Sequence, residues 1–268
     1  MQQKGKVSKP RKRTQRKRRG KRKVAVPIWV WISALVLLAL AILLPYLRPA
    51  NPEKGSRIPE GNYAYGIDIS HHNGREIVWD SLMVLTDASR RTIRSVVKAR
   101  EIHPVSFVFI KATEGLSWTD REFARNWEEA GRRDFRRGAY HFYRTSKNPV
   151  QQARHFINTV GSLRHKDLPP VLDIETLHRG YSRAELNRDL GIWLETVWNH
   201  YGRKPVIYTY ESFARDYLDK TLLEKYPLWI AHYDVPKPDT ERWNWWQFTD
   251  KAVVHGIPGH VDLNVSKR

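Results

Sequence analysis

Between residues 61 and 268 the apolar residues fall into two kinds of segment that alternate along the chain. One kind is short and rich in β-branched and aromatic residues: YAYGIDIS (63–70), VSFVFIKA (105–112), GAYHFYR (138–144), PPVLDIE (169–175), KPVIYTY (204–210), PLWIAHY (227–233) and WNWWQFTD (243–250), with a last short run in GHVDLNV (259–265). These have strand length and composition. The other kind is longer and helical in composition: 119–136, 148–165, 183–201 and 211–225. In 183–201, Ala184, Leu186, Leu190, Leu194 and Val197 recur near helical spacing behind a cap at Ser182. Strands alternating with helices predict a parallel sheet with right-handed crossovers. Seven or eight strands over about 200 residues predict a closed barrel. The fold class is therefore α/β, an irregular TIM-like (β/α) barrel. Its late part is irregular, because 234–243 is Pro-rich and too short for a good helix.

The N-terminal quarter follows a different pattern. Residues 24–47, VAVPIWVWISALVLLALAILLPYL, contain no charged residue and are long enough to cross a hydrocarbon core. Trp29 and Trp31 near one end and Tyr46 near the other suit the two interfaces. A cleaved signal peptide has a shorter apolar core and a small-residue cleavage site; LLPYLRPANP offers no such site. The run reads as one transmembrane helix, an uncleaved signal anchor preceding the barrel. Residues 48–60 hold three prolines and read as a linker of at most roughly 43 Å at about 3.3 Å per residue. The expected organisation is a basic cytoplasmic tail (1–23), the anchor (24–47), the linker (48–60) and a catalytic barrel (61–268). It implies a single-pass protein of the inner, cytoplasmic membrane with its barrel facing the periplasm or cell wall.

Charge and composition refine this picture. The net charge of +19 resembles that of a nucleic-acid binder, but residues 1–23 hold 13 Lys or Arg and no acid. The rest carries 34 basic and 28 acidic side chains, a net of +6. The positive block lies before the apolar run, so topology explains it and no specific nucleic acid is implied. There is no cysteine, which excludes disulfides, thiolate metal sites and a thiol nucleophile. The 11 Trp and 12 Tyr favour polymer binding without selecting the polymer.

The candidate chemistry lies in PPVLDIETLH (169–178). Asp173 and Glu175 are two apart in a strand and share a face, where each raises the other's pKa. Such a pair is either on a wetted surface, paired with a nearby Arg, or functional. In a parallel barrel the functional face lies at the C-terminal strand ends. Asp68 ends the first strand, Glu114 follows the second, and Asp262 falls on the last. The clustering favours a functional face. Aromatic residues accompany these acids: His141, Tyr143, Tyr208, Tyr210, Trp229, Tyr233, Trp245 and Trp246. An acidic floor with aromatic walls suits a glycan cleft.

The ordered set YGIDISHHNG, FVFIKATEG, GAYHFYR, PPVLDIE, PVIYTY, PLWIAHY, WWQFTD and GHVDLNV resembles glycoside hydrolase family 25, the Chalaropsis-type muramidases, across residues 63–265. The resemblance implies hydrolysis of the β-1,4 bond between N-acetylmuramic acid and N-acetylglucosamine in peptidoglycan glycan strands. It implies Glu175 as general acid, Asp173 as the residue orienting the N-acetyl group, and Asp68 and Asp262 as the remaining catalytic acids. Substrate contacts are expected from His141, Tyr143, Tyr208, Tyr210, Tyr233 and Trp246. No cofactor or metal is implied. Between Trp79 and Phe107 the chain exceeds the family's usual connection and is expected to add a helix around Arg90–Arg100. Two other readings stay open. One is a metal-dependent polysaccharide hydrolase or deacetylase using Asp68, His71, His72, Asp173 and Glu175; the other is a non-catalytic wall-binding scaffold.

Overall fold

The computed structural model describes residues 54–267, together with residues 27, 29, 30, 32, 33 and 35–38. The expected tail, most of the expected anchor and residues 48–53 of the expected linker lie outside the described residues. Among those that are described, no helix is long and apolar enough to cross a membrane. The chain forms two units, 1–49 and 50–268, of which the second carries the sheet.

The strands are β1 (Lys54–Arg57), β2 (Tyr63–Ile69), β3 (Met83–Thr86), β4 (Arg91–Ile93), β5 (Glu101–Glu114), β6 (Trp118–Thr119), β7 (Arg136–Phe142), β8 (Val171–Asp173), β9 (Val206–Tyr210), β10 (Leu228–Ala231), β11 (Trp245–Ala252) and β12 (Val261–Lys267). The helices are α1 (Phe123–Arg132), α2 (Pro149–Val160), α3 (Arg183–Tyr201), α4 (Glu211–Tyr217) and α5 (Lys220–Lys225). Eight strands close a barrel in the order β5-β2-β12-β11-β10-β9-β8-β7, with β7 paired back to β5. Seven run parallel, whereas β12 is antiparallel to both β11 and β2. The expected barrel and its strands are present. The segment 234–243 carries no helix, as its prolines require.

Local chemistry sets the helix limits. The Ser182 side chain accepts from the Glu185 backbone, and the Glu185 carboxylate accepts from the Ser182 N–H at 2.9 Å. Gly202, left-handed at φ 64°, ends α3. The segment expected as one helix over 211–225 breaks in two. At the break, the Asn187 side chain accepts from Asp219 N at 2.7 Å and donates to the Tyr217 carbonyl at 2.8 Å, taking up backbone groups a continuous helix would pair.

The region expected to add a helix around Arg90–Arg100 forms strands instead. β3 and β4 make an antiparallel hairpin, closed where Asp87 Oδ1 accepts from the N–H groups of Ser89 and Arg91 and Arg90 adopts φ 61°. An aspartate that captures the backbone ahead of it favours a turn over a helix. Residues 54–57 of the expected linker form β1, which pairs with β4, and β3 pairs with the first residues of β5. This appended sheet adds Ile58, Val84 and Ile93 to the buried residues of the fold.

Two apolar layers sandwich the barrel wall. Val108, Ile110, Leu172, Ile207 and Ile230 face outward into the large core beneath the helices. Phe107, Phe109, Val171, Val206, Tyr208 and Trp229 fill the lumen, where the Phe109 and Trp229 rings stack at 4.2 Å. Glycines make room for these rings. A Cβ on Gly66 would lie 2.3 Å from the Phe107 ring, and one on Gly138 2.5 Å from the Phe109 ring. Gly138→Ala is therefore expected to cost about 1–3 kcal/mol by overpacking, a fall in Tm of roughly 2–12 °C. Adding Phe109→Leu should recover part of the loss. Thermal unfolding checks this, and an unchanged Tm in the single variant would refute the packing argument.

Candidate active site

Four carboxylates converge at one mouth of the barrel. Asp68 is the penultimate residue of β2, and Asp262 stands directly opposite it on β12. Cross-strand partners of this kind have Cα atoms about 4.5–5.5 Å apart. Asp173 ends β8, and Glu175 follows two residues later. The rule that functional residues occupy C-terminal strand ends holds for Asp68 and Asp173. Asp262 reaches the same rim from the start of its strand, because β12 runs the opposite way.

Asp68 is held by a directional network. Its Oδ1 accepts from Gln247 Nε2 at 2.9 Å and Asn264 Nδ2 at 2.7 Å. Each amide is oriented by donors on its oxygen: Tyr208 and Tyr233 hydroxyls donate to Gln247 Oε1 at 2.8 and 2.5 Å, and the Trp229 indole donates to Asn264 Oδ1 at 2.8 Å. With their oxygens occupied by donors, both amides present N–H groups to Asp68, which favours its ionised form.

The electrostatics separate the acids. Burial pushes Asp68 up, and the hydrogen bonds from Asn264, Gln247 and Asp262 pull it back. Burial and then the Asp68 charge push Asp262 up to about 9, so the proton shared by this pair resides on Asp262. Burial and then the Glu175 charge hold Asp173 well above the usual carboxylate range, and its Oδ1 is buried with no hydrogen-bond partner among the described residues. Glu175 is raised by burial and by Asp68, against the opposing charges of Lys111 and Arg144 and a hydrogen bond with Asp173. Such a site keeps a protonated carboxyl beside an ionised one near neutral pH, which is what acid–base chemistry at an acetal requires. Glu114, also at a strand end, plays a different part. Burial pushes it up, but Lys111 Nζ at 2.8 Å and the Arg144 guanidinium outweigh that and hold it ionised.

Tyr208 and Tyr233 lie in this network, and Tyr210 stands exposed beside Tyr233 with ring centroids 6.4 Å apart. The other three expected substrate contacts do not reach the mouth. His141 is fully buried behind β7, stacked on Trp193 and hydrogen-bonded to Thr113 and Gln152. Tyr143 and Trp246 are also buried in the outer core. The correction follows from strand alternation: Tyr140 and Trp245 take the lumen side, which turns His141 and Trp246 away. Of the proposed metal ligands, His71 is committed through Nδ1 to Asp120 at 2.7 Å. Among the described residues no cluster of three His, Asp or Glu could hold a metal ion.

The sequence reading missed Gln247, Asn264, Lys111 and the half-exposed Trp118, whose indole lies 4.9 Å from Lys111 Nζ. A signal for the first two was present. WWQFT and VDLNV each carry an amide within an apolar strand, and a buried amide needs defined partners.

The sequence profile of the glycosyl hydrolases family 25 matches residues 67–257. The chain is 37% identical over 212 residues to the uncharacterized protein YegX of Escherichia coli K12, covering 78% of this chain and 71% of that one. It is 32% identical over 213 residues to lysozyme M1 of Streptomyces globisporus, covering 74% and 66%. The crystal structure of the bacterial lysozyme from Streptomyces coelicolor superimposes with a TM-score of 0.65 at 30% identity, covering 78% of this chain and 94% of that one.

Asp262 makes stability depend on pH. Its folded pKa of about 9 lies above the ordinary 3.8. Its stabilising contribution is therefore complete below about pH 4 and is lost as the pH climbs toward 9. Asp262→Asn keeps a donor for Asp68 and removes the titration. Its Tm is expected to exceed that of the wild type by a few degrees at about pH 8, with the gap closing near pH 4. A gap that does not change with pH would refute the assignment.

Proposed function

The chain belongs to the glycosyl hydrolases family 25, and from that premise we propose that it is a lysozyme, hydrolysing the β-1,4 bond between N-acetylmuramic acid and N-acetylglucosamine in peptidoglycan. The observation that carries this reading is the set of four carboxylates at the mouth, with Asp173 Oδ1 buried and lacking a donor among the described residues. A buried acceptor of this kind is costly alone and favourable once a substrate N–H reaches it.

The reaction is retaining and substrate-assisted. In the free site Asp173 holds its proton more tightly than Glu175 does. Accepting from the acetamido N–H favours the ionised form of Asp173, which leaves the proton to Glu175, and turns the amide oxygen toward the anomeric carbon. That oxygen forms the new C–O bond while Glu175 gives its proton to the leaving glycosidic oxygen, breaking the old bond. Glu175, now ionised, takes a proton from water as the water opens the cyclic intermediate. Asp68, with its proton-sharing partner Asp262, supplies the anionic field that keeps Glu175 protonated beforehand. Tyr210 and Trp118 offer exposed rings for stacking on sugar faces.

The barrel is tethered to a membrane through residues 24–47, with its N-terminus in the cytoplasm. An uncharged apolar run behind 13 cations supports this reading. The ordered sheet starts at Lys54, so six residues, 48–53, separate it from the apolar run. Six residues reach at most about 20 Å at about 3.3 Å per residue.

Glu175→Gln is expected to lower the hydrolysis of purified peptidoglycan by a factor of roughly 10²–10⁴. Mass spectrometry should find N-acetylmuramic acid at the new reducing ends made by the wild type. The first anomer released should be β; release of the α-anomer rules out retention. In cell fractionation the full chain should stay with membranes through an alkaline carbonate wash, and its recovery in the soluble fraction would remove the tether.

A further inference from the structure

A second cleft, of about 820 Å³, opens outside the barrel beside the catalytic mouth. The outward face of β11, with Trp246 and Phe248, lines one side of it, and β1 forms the opposite wall. Short links join it to the catalytic rim. Asp234, in its lining, directly follows Tyr233 of the Asp68 network, and His260, at its edge, precedes Asp262 by two residues.

The wall is built closely against the barrel. A Cβ on Gly55 would lie 2.6 Å from Val253 N and 2.7 Å from the Lys251 carbonyl, so only glycine lets β1 approach the end of β11. The Ser56 and Thr249 hydroxyls share a hydrogen bond at 2.5 Å. Residues 54–60 form that wall, and pairing of β1 with β4 adds Arg91 of the insertion to it.

Its charge is predominantly positive. Lys54, Arg57, Arg91 and Lys251 face Glu60 and Asp234. Glu60 is neutralised by Arg90 at 3.2 Å, and Lys54 is paired with Asp87 at 3.6 Å. Arg57 and Arg91 donate to the carbonyls of Ser89 and Gly55, which position the guanidinium groups without neutralising them. Among the described residues no carboxylate pairs with Arg57, Arg91 or Lys251.

We propose that this cleft binds carboxylates of the peptide stem attached to the muramyl residue near the scissile bond. The inference rests on the lysozyme reading. The sugar backbone of the glycan is uncharged, whereas the stem carries free carboxylates, the groups that planar guanidinium donors match. A stem of four or five residues reaches about 13–17 Å from its sugar at about 3.3 Å per residue. The enzyme thus selects strands by stem charge as well as by sugar.

The test compares kcat/KM of the full chain, in detergent, on three substrates: glycan strands with intact stems, the same strands with stem carboxylates amidated, and strands stripped of stems. The wild type is expected to favour intact strands by on the order of three- to tenfold over both others, less at high salt. Arg57→Gln combined with Arg91→Gln and Lys251→Gln should bring intact strands down to the stripped value and leave stripped strands unchanged. Equal wild-type rates on all three substrates would overturn the proposal. So would a preference that survives in the variant, or one that amidation leaves intact. A parallel loss on stripped strands would assign the three cations to the fold instead. Failure to cut any substrate would defeat the lysozyme reading itself, a result distinct from loss of stem preference.

Discussion

Asp68 sits inside the barrel, shielded from water, and the arrangement around it follows from having to hold a carboxylate there. A buried charge persists only when its lone pairs are met by donors. Gln247 and Asn264 supply them from β11 and β12, the two strands that lead round to β2. Those amides are oriented by Tyr208 on β9, Trp229 on β10 and Tyr233 just beyond it. Five successive strands of the barrel therefore converge on one oxygen. The antiparallel course of β12 is part of the same solution, since it delivers Asn264 to the network and Asp262 to the rim from one strand.

This concentration of acid has a cost. Asp68, Asp173, Glu175 and Asp262 all lie above their ordinary pKa values, mainly through burial. Each would be more stable in water. The aromatic lumen beneath them and the outer apolar core provide the compensating burial. Lys111 moderates the repulsion while remaining bound to Glu114, and rings of Trp118 and Phe142 lie within 5 Å of its ammonium. Glu114 and Arg144 thus hold a cation near the acids without joining the proton chemistry.

The appended sheet joins two separate stretches of chain, β1 and residues 83–104, that meet only in the folded protein. Its strands cover apolar surface on one side and line the basic cleft on the other. β1 is the first described strand after the N-terminal apolar run, so the run, the sheet and the cleft wall follow one another in sequence.

Much of this was legible from residue order alone. The period-two and helical patterns determined the order of strands and helices, and the start of α3 followed from the cap at Ser182. Two acids two residues apart in PPVLDIE had to share a face, and Asp68 and Asp262 stood out as acids at strand ends. The tertiary structure decided which face of each strand is the lumen. Both faces of a barrel strand are apolar, so alternation separates His141 from Tyr140 without saying which one looks inward. It also decided the direction of β12 and the strand character of 83–93, because antiparallel closure and hairpin pairing depend on partners distant in sequence. Local pattern specifies the elements; which side of each meets water is settled only when the sheet closes.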